Sequence, residues 1–235
     1  MLEGKLVSAL VPDEVKERFL NGETLIADRI EDGTVMFIYI CGYDEVMLSQ
    51  GTVPTIKWIN AVFTAFDHCI MQTSSMVKVE TFNNFLLVYC KAPGVHVDEC
   101  ISLAVDMLDS MWSVQRPDGE PTTVRLGLSS GDFTAGIIGS STPRYSIFGD
   151  TVNTASRMAS NSIPTTIQTP FVHLSQTARE QVGESIEDWL AGTLSMSIAP
   201  RGSGMEIKGK GWIQTYQLSL DESTNAPEQS AMAEP

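Results

Sequence analysis

Between Thr34 and Cys41 the chain is an unbroken run of β-branched, aromatic and other apolar residues, which predicts a strand buried on both faces. A helical rhythm follows: Ile56, Ile59, Phe63, Phe66 and Ile70 recur at spacings of three or four, predicting a helix over Thr55–Gln72. Met76–Val79 and Phe85–Tyr89 read as two strands, and the polar pair Asn83-Asn84 between them suits a hairpin turn. A second amphipathic helix is expected over Asp98–Ser113, with Ile101, Val105, Leu108 and Trp112 on one face. Val124–Leu128 is a further strand, which Ser130-Gly131-Asp132 is expected to end. Asp150 is placed to cap a helix that carries Asn153 and Arg157. Strand pattern returns at Met205–Lys208 and Gln214–Leu218, joined by the turn Gly209-Lys210-Gly211. Strand, helix, two strands, helix, strand, helix and closing strands predict an α+β fold, with helices packed on a mixed or antiparallel sheet.

The flanks differ from this body, which spans 31–220. Residues 1–30 read as an N-terminal linker with a short helix starting at Val11-Pro12-Asp13, its narrow apolar face made by Val15, Phe19 and Leu20. Residues 221–235, DESTNAPEQSAMAEP, are acidic, contain no Lys or Arg, and have little to bury, so a disordered acidic tail is expected. The length of 235 residues suits one domain with a proper core. No apolar run reaches the roughly 18 residues of a membrane span, and the first residues lack the pattern of a signal peptide. Cys41, Cys69, Cys90 and Cys100 are scattered with no C-x-x-C pair, which reads as free thiols in a reducing compartment rather than a zinc site. A cytoplasmic placement is expected, alone or within a larger, membrane- or cytoskeleton-associated complex. A net charge of −14 argues against nucleic-acid binding. For a polyanionic nucleotide, metal ions, local basic groups or a partner chain would have to supply positive charge. His68, His96 and His173 show no spacing that suggests a triad or ligand set and read as incidental.

The most specific stretch is Gly136-Ile-Ile-Gly-Ser-Ser-Thr-Pro-Arg-Tyr-Ser-Ile-Phe-Gly-Asp-Thr-Val-Asn-Thr-Ala-Ser-Arg-Met158. It is accompanied, in order, by Thr34-Val-Met-Phe-Ile-Tyr-Ile-Cys-Gly-Tyr43, Lys78-Val-Glu-Thr81, Val124-Arg-Leu-Gly127 and Glu206-Ile-Lys-Gly-Lys-Gly211 with Thr215-Tyr216. Together these resemble the catalytic domain of the class III nucleotide cyclases in its guanylyl cyclase form, and they reach across the chain from Leu10 to Leu218. The resemblance implies the ferredoxin-like class III adenylyl/guanylyl cyclase fold. It also implies a site formed head to tail between two chains. One chain brings two aspartates that hold two metal ions; the other brings the purine-reading residues and an Asn and Arg that stabilise the transition state. The implied reaction is attack of the ribose 3′-hydroxyl on the α-phosphate, with loss of pyrophosphate. His173-Leu-Ser175 is similar to the family's H-V-S strand, whereas the rest of residues 165–200 matches it poorly and leaves room for an insertion.

The resemblance puts the metal aspartates at Tyr39 and Asn84. A phenol is a poor ligand for a hard cation, and an amide oxygen carries no charge. Asp44 would lie roughly 16 Å further along a continuing strand and on its other face, so neither it nor Glu45 is expected to substitute. Asp67 fits the family's helical F-D pair. Tyr39 therefore reads as an aromatic that fills space where carboxylates would repel.

The complementary half is retained. Asn153 and Arg157 are four apart and share a helix face; the resemblance gives them the ribose and transition-state roles, the plainer alternative being a solvated polar pair. Lys208 matches the triphosphate lysine, or is simply an exposed basic turn. Arg125 matches a phosphate arginine that belongs with the metal-bearing half. Glu80 matches the guanine-reading glutamate, or is a surface strand carboxylate, and its companion position holds Ser146, which leans to GTP. The expectation is a metal-less subunit of a heterodimeric guanylyl cyclase making cGMP from GTP, inactive as a homodimer. This chain alone would bind no metal cofactor, Mg or Mn arriving only through another cyclase-domain chain. The alternative is a pseudo-cyclase serving as a structural or regulatory dimerisation module.

Overall fold

A computed structural model describes residues 11–23, 25–139 and 141–221. The expected acidic tail, beyond Asp221, and residues 1–10 of the expected linker lie outside the described residues. In chain order the elements are α1 (Asp13–Leu20), β1 (Ala27–Ile40), α2 (Tyr43–Gln50), α3 (Thr52–Met71), β2 (Met76–Phe82), β3 (Phe85–Cys90) and α4 (His96–Ser110). They continue with β4 (Val124–Ile138), β5 (Arg144–Phe148), α5 (Asp150–Ser160), β6 (Phe171–Ser175), α6 (Gln176–Arg179), α7 (Glu184–Trp189), β7 (Met196–Pro200), β8 (Met205–Ile207), β9 (Gly211–Ile213) and β10 (Thr215–Leu220). The main sheet runs β2-β3-β1-β4-β6-β10-β7, with β5 also paired to β4. Only β4 and β6 are parallel; the other pairings are antiparallel. The fold is α+β, as expected.

Alternation along β1 divides the core. Met36, Ile38 and Ile40 face α3 and α4, while Val35 and Phe37 face the side covered by α1, β5 and α5. On α3 the buried stripe is Thr55, Trp58, Ile59, Val62, Phe66 and Ile70; Ile56, expected inside, is 58% exposed. On the second long helix Trp112, also expected inside, is 77% exposed. Its helix stops at Ser110 and residues 111–113 form a 3-10 turn, so the 3.6-residue period no longer carries Trp112 inward.

The central strands are longer than their apolar runs. Ser130-Gly131-Asp132 does not end β4. It lies opposite a bulge in β1 between Ile30 and Gly33, where Asp32 has φ 53°. The Asp132 carboxylate accepts the Asp32 backbone N–H (3.1 Å) and a hydrogen bond from Arg29 (2.6 Å), so the polar residues stitch the bulge. Pairing with β1 resumes to Gly136, and pairing with β5 carries β4 on to Ile138. His96 is not incidental either. Its Nδ1 lies 2.7 Å from Thr34 Oγ1, which lies 2.7 Å from Ser130 Oγ, and its Nε2 is 3.6 Å from Asp32. Thr34 and Ser130 are buried, so this chain of groups ties α4 to the central strands rather than attacking a substrate.

β6 sits in the interior of the sheet and its His173 is fully buried. Burial pushes its pKa down to about 4 and holds the imidazole neutral. The Nδ1–H donation to the Met158 carbonyl (2.8 Å) acts the other way, and the nearby Arg201 guanidinium lowers it further. The unfolded chain takes up this proton at about pH 6.5, the folded chain only near 4, so stability falls as pH drops through that window. The expected loss is about 3 kcal/mol. Denaturant melts from pH 7 to 4 check it: His173→Gln, which keeps a donor for Met158, should flatten the slope between pH 6.5 and 4.

Candidate functional site

Tyr39 is near the end of β1, and Asn84 is in the β2–β3 turn beside it, where Asn83 adopts φ 49°. The Asn84 Nδ2 amide donates to the Ile40 carbonyl (2.9 Å), while the Ile40 N–H donates to the Asn84 carbonyl (2.7 Å). This double clip uses the side chain to pin the hairpin to β1. The Tyr39 ring stacks on Phe37 (centroids 6.2 Å, planes at 21°) and leans on Phe85 (6.0 Å). Its hydroxyl lies 3.2 Å from Ser156 Oγ on α5.

Both residues border a cavity of about 330 Å³ that Arg125 and Asp44 also line. Asp44 is there because the strand does not continue. β1 ends at Ile40, Gly42 turns the chain with φ 76°, and α2 brings Asp44 back in its first turn. The expectation that distance removes Asp44 is thus corrected: Asp44 lines the same cavity as Tyr39 and Asn84. The cavity's phenol belongs to an aromatic cluster, its amide nitrogen is spent on backbone, Glu45 is paired with Arg116 (3.1 Å), and Arg125 brings a guanidinium whose buried Nε has no partner. Among the described residues no group of three or more His, Cys, Asp or Glu is placed to share a metal ion.

The other side of the site is built on α5. Val152, Ala155 and Ala159 pack it on the sheet, which leaves Asn153 exposed and Arg157 half-buried. Among the described residues neither side chain has a hydrogen-bond or salt-bridge partner. Asp150 does not cap the helix as expected. Gly149 occupies the cap, and Asp150, in the first turn, pairs instead with Lys210. The turn Gly209-Lys210-Gly211 also differs from expectation: it joins β8 to β9, a separate two-stranded ribbon, and β10 returns to the main sheet. Lys210 docks this ribbon on α5, while Lys208 stands exposed at its turn.

Glu80 lies on β2 just past a register shift after Lys78. Arg144 of β5 approaches its carboxylate to 3.9 Å, and Ser146, two residues along, shares the face of β5 that points away from buried Tyr145 and Ile147. Lys78 itself pairs with Asp67 (2.6 Å), which gives that helical aspartate a structural task. The structure therefore puts Tyr39, Asn84 and Arg125 on one cavity, Asn153 and Arg157 on one helix face, and Glu80 and Ser146 on β2 and β5, two strands that do not pair but are linked by the approach of Arg144 to Glu80. None of Glu80, Ser146, Asn153, Arg157 or Lys208 lines the cavity that Tyr39 and Asn84 border. Ser156, Arg144 and Lys210 were not singled out from the sequence; their contacts are long-range and leave no local signal.

A family model described as adenylate and guanylate cyclase catalytic domain matches residues 25–220. Among curated proteins the chain is 30% identical over 234 residues to guanylate cyclase soluble subunit beta-2 of Rattus norvegicus, covering 98% of this chain and 32% of that protein. It is 31% identical over 219 residues to receptor-type guanylate cyclase gcy-13 of Caenorhabditis elegans, covering 91% of this chain and 20% of that protein. The chain thus spans about a third or less of these relatives. Among solved structures, the guanylate cyclase domain of RhGC from Catenaria anguillulae in complex with GTP is similar at TM-score 0.69 and 28% identity, covering 82% of this chain and 98% of that one. The adenylyl cyclase CyaB from P. aeruginosa shares the fold at TM-score 0.66 and 20% identity, covering 83% of this chain and 96% of that one.

Proposed function

Because this chain belongs to the adenylate and guanylate cyclase catalytic domain family, we propose that it is the metal-less half of a guanylyl cyclase site, completed by a second cyclase-domain chain. The observation that carries this reading is an asymmetry. Asn153 and Arg157 stand out from α5 with no partner among the described residues, whereas Tyr39 and Asn84 are committed to their own fold. Glu80 accepts hydrogen bonds from the N1–H and exocyclic amine of guanine, with the Ser146 hydroxyl beside it. Asn153 orients the ribose, Arg157 neutralises charge that develops on the phosphate, and Lys208 meets the triphosphate. Arg125, in the cavity of the other half, has no part in that reaction. The metals that activate the 3′-hydroxyl are held by the partner's aspartates. A cytoplasmic placement, alone or in a larger complex, goes with this reading.

The test is manganese-supported GTP cyclisation by the chain alone and mixed with a cyclase domain that keeps both aspartates but lacks its own Asn and Arg. Activity only in the mixture is expected. Silence in a confirmed mixed dimer would overturn the reading in favour of a structural dimerisation module. That second reading has an observation behind it: Phe82, Ile138 and Phe148, each about half exposed at the ends of β2, β4 and β5, suit a contact surface whether or not turnover occurs.

A second prediction follows from the same asymmetry. Tyr39→Asp with Asn84→Asp should give the homodimer measurable manganese-dependent activity, at a cost of several degrees in Tm. The carboxylate introduced at position 39 would face Phe37 and Phe85, and the one introduced at position 84 could not donate to the Ile40 carbonyl. Thermal melts and a cGMP assay read both effects. A variant that binds metal and GTP yet stays inert would count against the retained half.

A further inference from the structure

Resting on that reading, we propose that Tyr39 is a positioning residue for the trans-acting pair: its phenol tethers the middle of α5, through Ser156, in the orientation that presents Asn153 and Arg157. Ser156 is three residues after Asn153 and next to Arg157, on the flank of the helix turn that carries both. The ends of α5 have other holds. Thr151 donates to the Asp132 carbonyl and Lys210 grips Asp150 in the first turn, while His173 takes the Met158 carbonyl and Arg201 the Asn161 carbonyl at the far end. Between them, among the described residues, the side-chain hydrogen bond from α5 to the sheet is the one between Tyr39 and Ser156, 3.2 Å long.

Tyr39 is well made for this. It sits on the strand between β3 and β4, opposite Phe85 on one side and Arg125 on the other, so its backbone is fixed by the sheet. Phe37 and Phe85 hold the ring from two sides, and Phe82 extends the cluster by its contact with Phe85 (6.1 Å). A rigid ring carrying one hydroxyl is a stiffer strut than a long aliphatic chain. The residue at the position that the resemblance gives to a metal ligand thus has a positive task, which space-filling alone does not describe.

The test uses the full chain mixed with the metal-bearing partner domain, in GTP and manganese, beside hydrogen–deuterium exchange on the full chain alone. Tyr39→Phe keeps the ring and removes only the hydroxyl. It should lower kcat roughly two- to tenfold, the equivalent of one net hydrogen bond, with KM little changed. Ser156→Ala should do the same, the double variant should fall no lower than either, and Ser156→Thr should restore the wild-type rate. Backbone amides of residues 150–160 should exchange faster in Tyr39→Phe and Ser156→Ala. Unchanged exchange, additive losses in the double variant, or faster exchange with unchanged kcat in an active mixture would each overturn the proposal. If the wild-type mixture is silent, the trans-acting reading fails on its own account. Exchange across 150–160 then still decides the tether: acceleration supports it and its absence removes it.

Discussion

Changing Arg157 to alanine should lower turnover of the mixed dimer roughly a hundred- to a thousandfold, the range for removing one donor aimed at developing charge. The KM for GTP should move far less, because that charge exists in the transition state and not in the bound substrate. Stability should be nearly untouched. Arg157 is half-buried and its guanidinium has no partner among the described residues, so the fold loses little when it goes. This separation of activity from stability distinguishes a site residue from a solvated polar residue, for which both would stay the same. Arg157→Lys should restore only part of the rate, since an ammonium lacks the planar fork that meets two phosphate oxygens. Asn153→Ala should move kcat in the same direction, and the double variant should lose less than the product of the two. Steady-state kinetics with a matched thermal melt make the comparison. An unchanged kcat for Arg157→Ala would remove the central residue of the proposed function.

What the sequence made legible follows from which interactions are local. The Thr34–Cys41 run marked the buried part of β1, but not its start at Ala27, because that end is held by a bulge and by Asp132 about a hundred residues away. Polar residues at Ser130-Gly131-Asp132 signal a break when read along the chain, and become a stitch only when the opposing strand is present. The spacing of Asn153 and Arg157 gave their common face correctly, since it depends on nothing beyond the helix. Asp44 was misplaced because one glycine, Gly42 at φ 76°, turns the chain where the strand rule extends it. Tyr39 read as filler because its hydroxyl partner, Ser156, is 117 residues distant. The candidate residues were thus visible as motif positions, and the long-range contacts around them were not.

Gly127→Ala should destabilise the chain by about 3 kcal/mol or more, a large share of the roughly 5–15 kcal/mol that holds an ordinary domain together. Gly127 lies in β4 with its missing side chain toward α5, between Leu126 and Leu128, which face the other core. A Cβ there would fall on the backbone nitrogen of Ala159 and the carbonyl carbon of Met158, well inside contact distance. Side-chain rotation cannot relieve a clash with backbone, so the helix must lift off the strand. Gly192→Ala, where an added Cβ meets nothing within 4 Å, is the matched control and should change stability little. Chemical denaturation of the two variants measures the difference, and equal stabilities would show that α5 is not seated as described. Under the proposed function the effect also reaches the chemistry. α5 carries Asn153 and Arg157, and a shift of about 1 Å in a positioning element costs on the order of a hundredfold in rate. Gly127→Ala protein that still folds at low temperature should therefore pair with a metal-bearing partner yet turn over GTP poorly. Under the proposed function, the same close approach of helix to strand that stabilises the domain also sets where the pair meets the second chain.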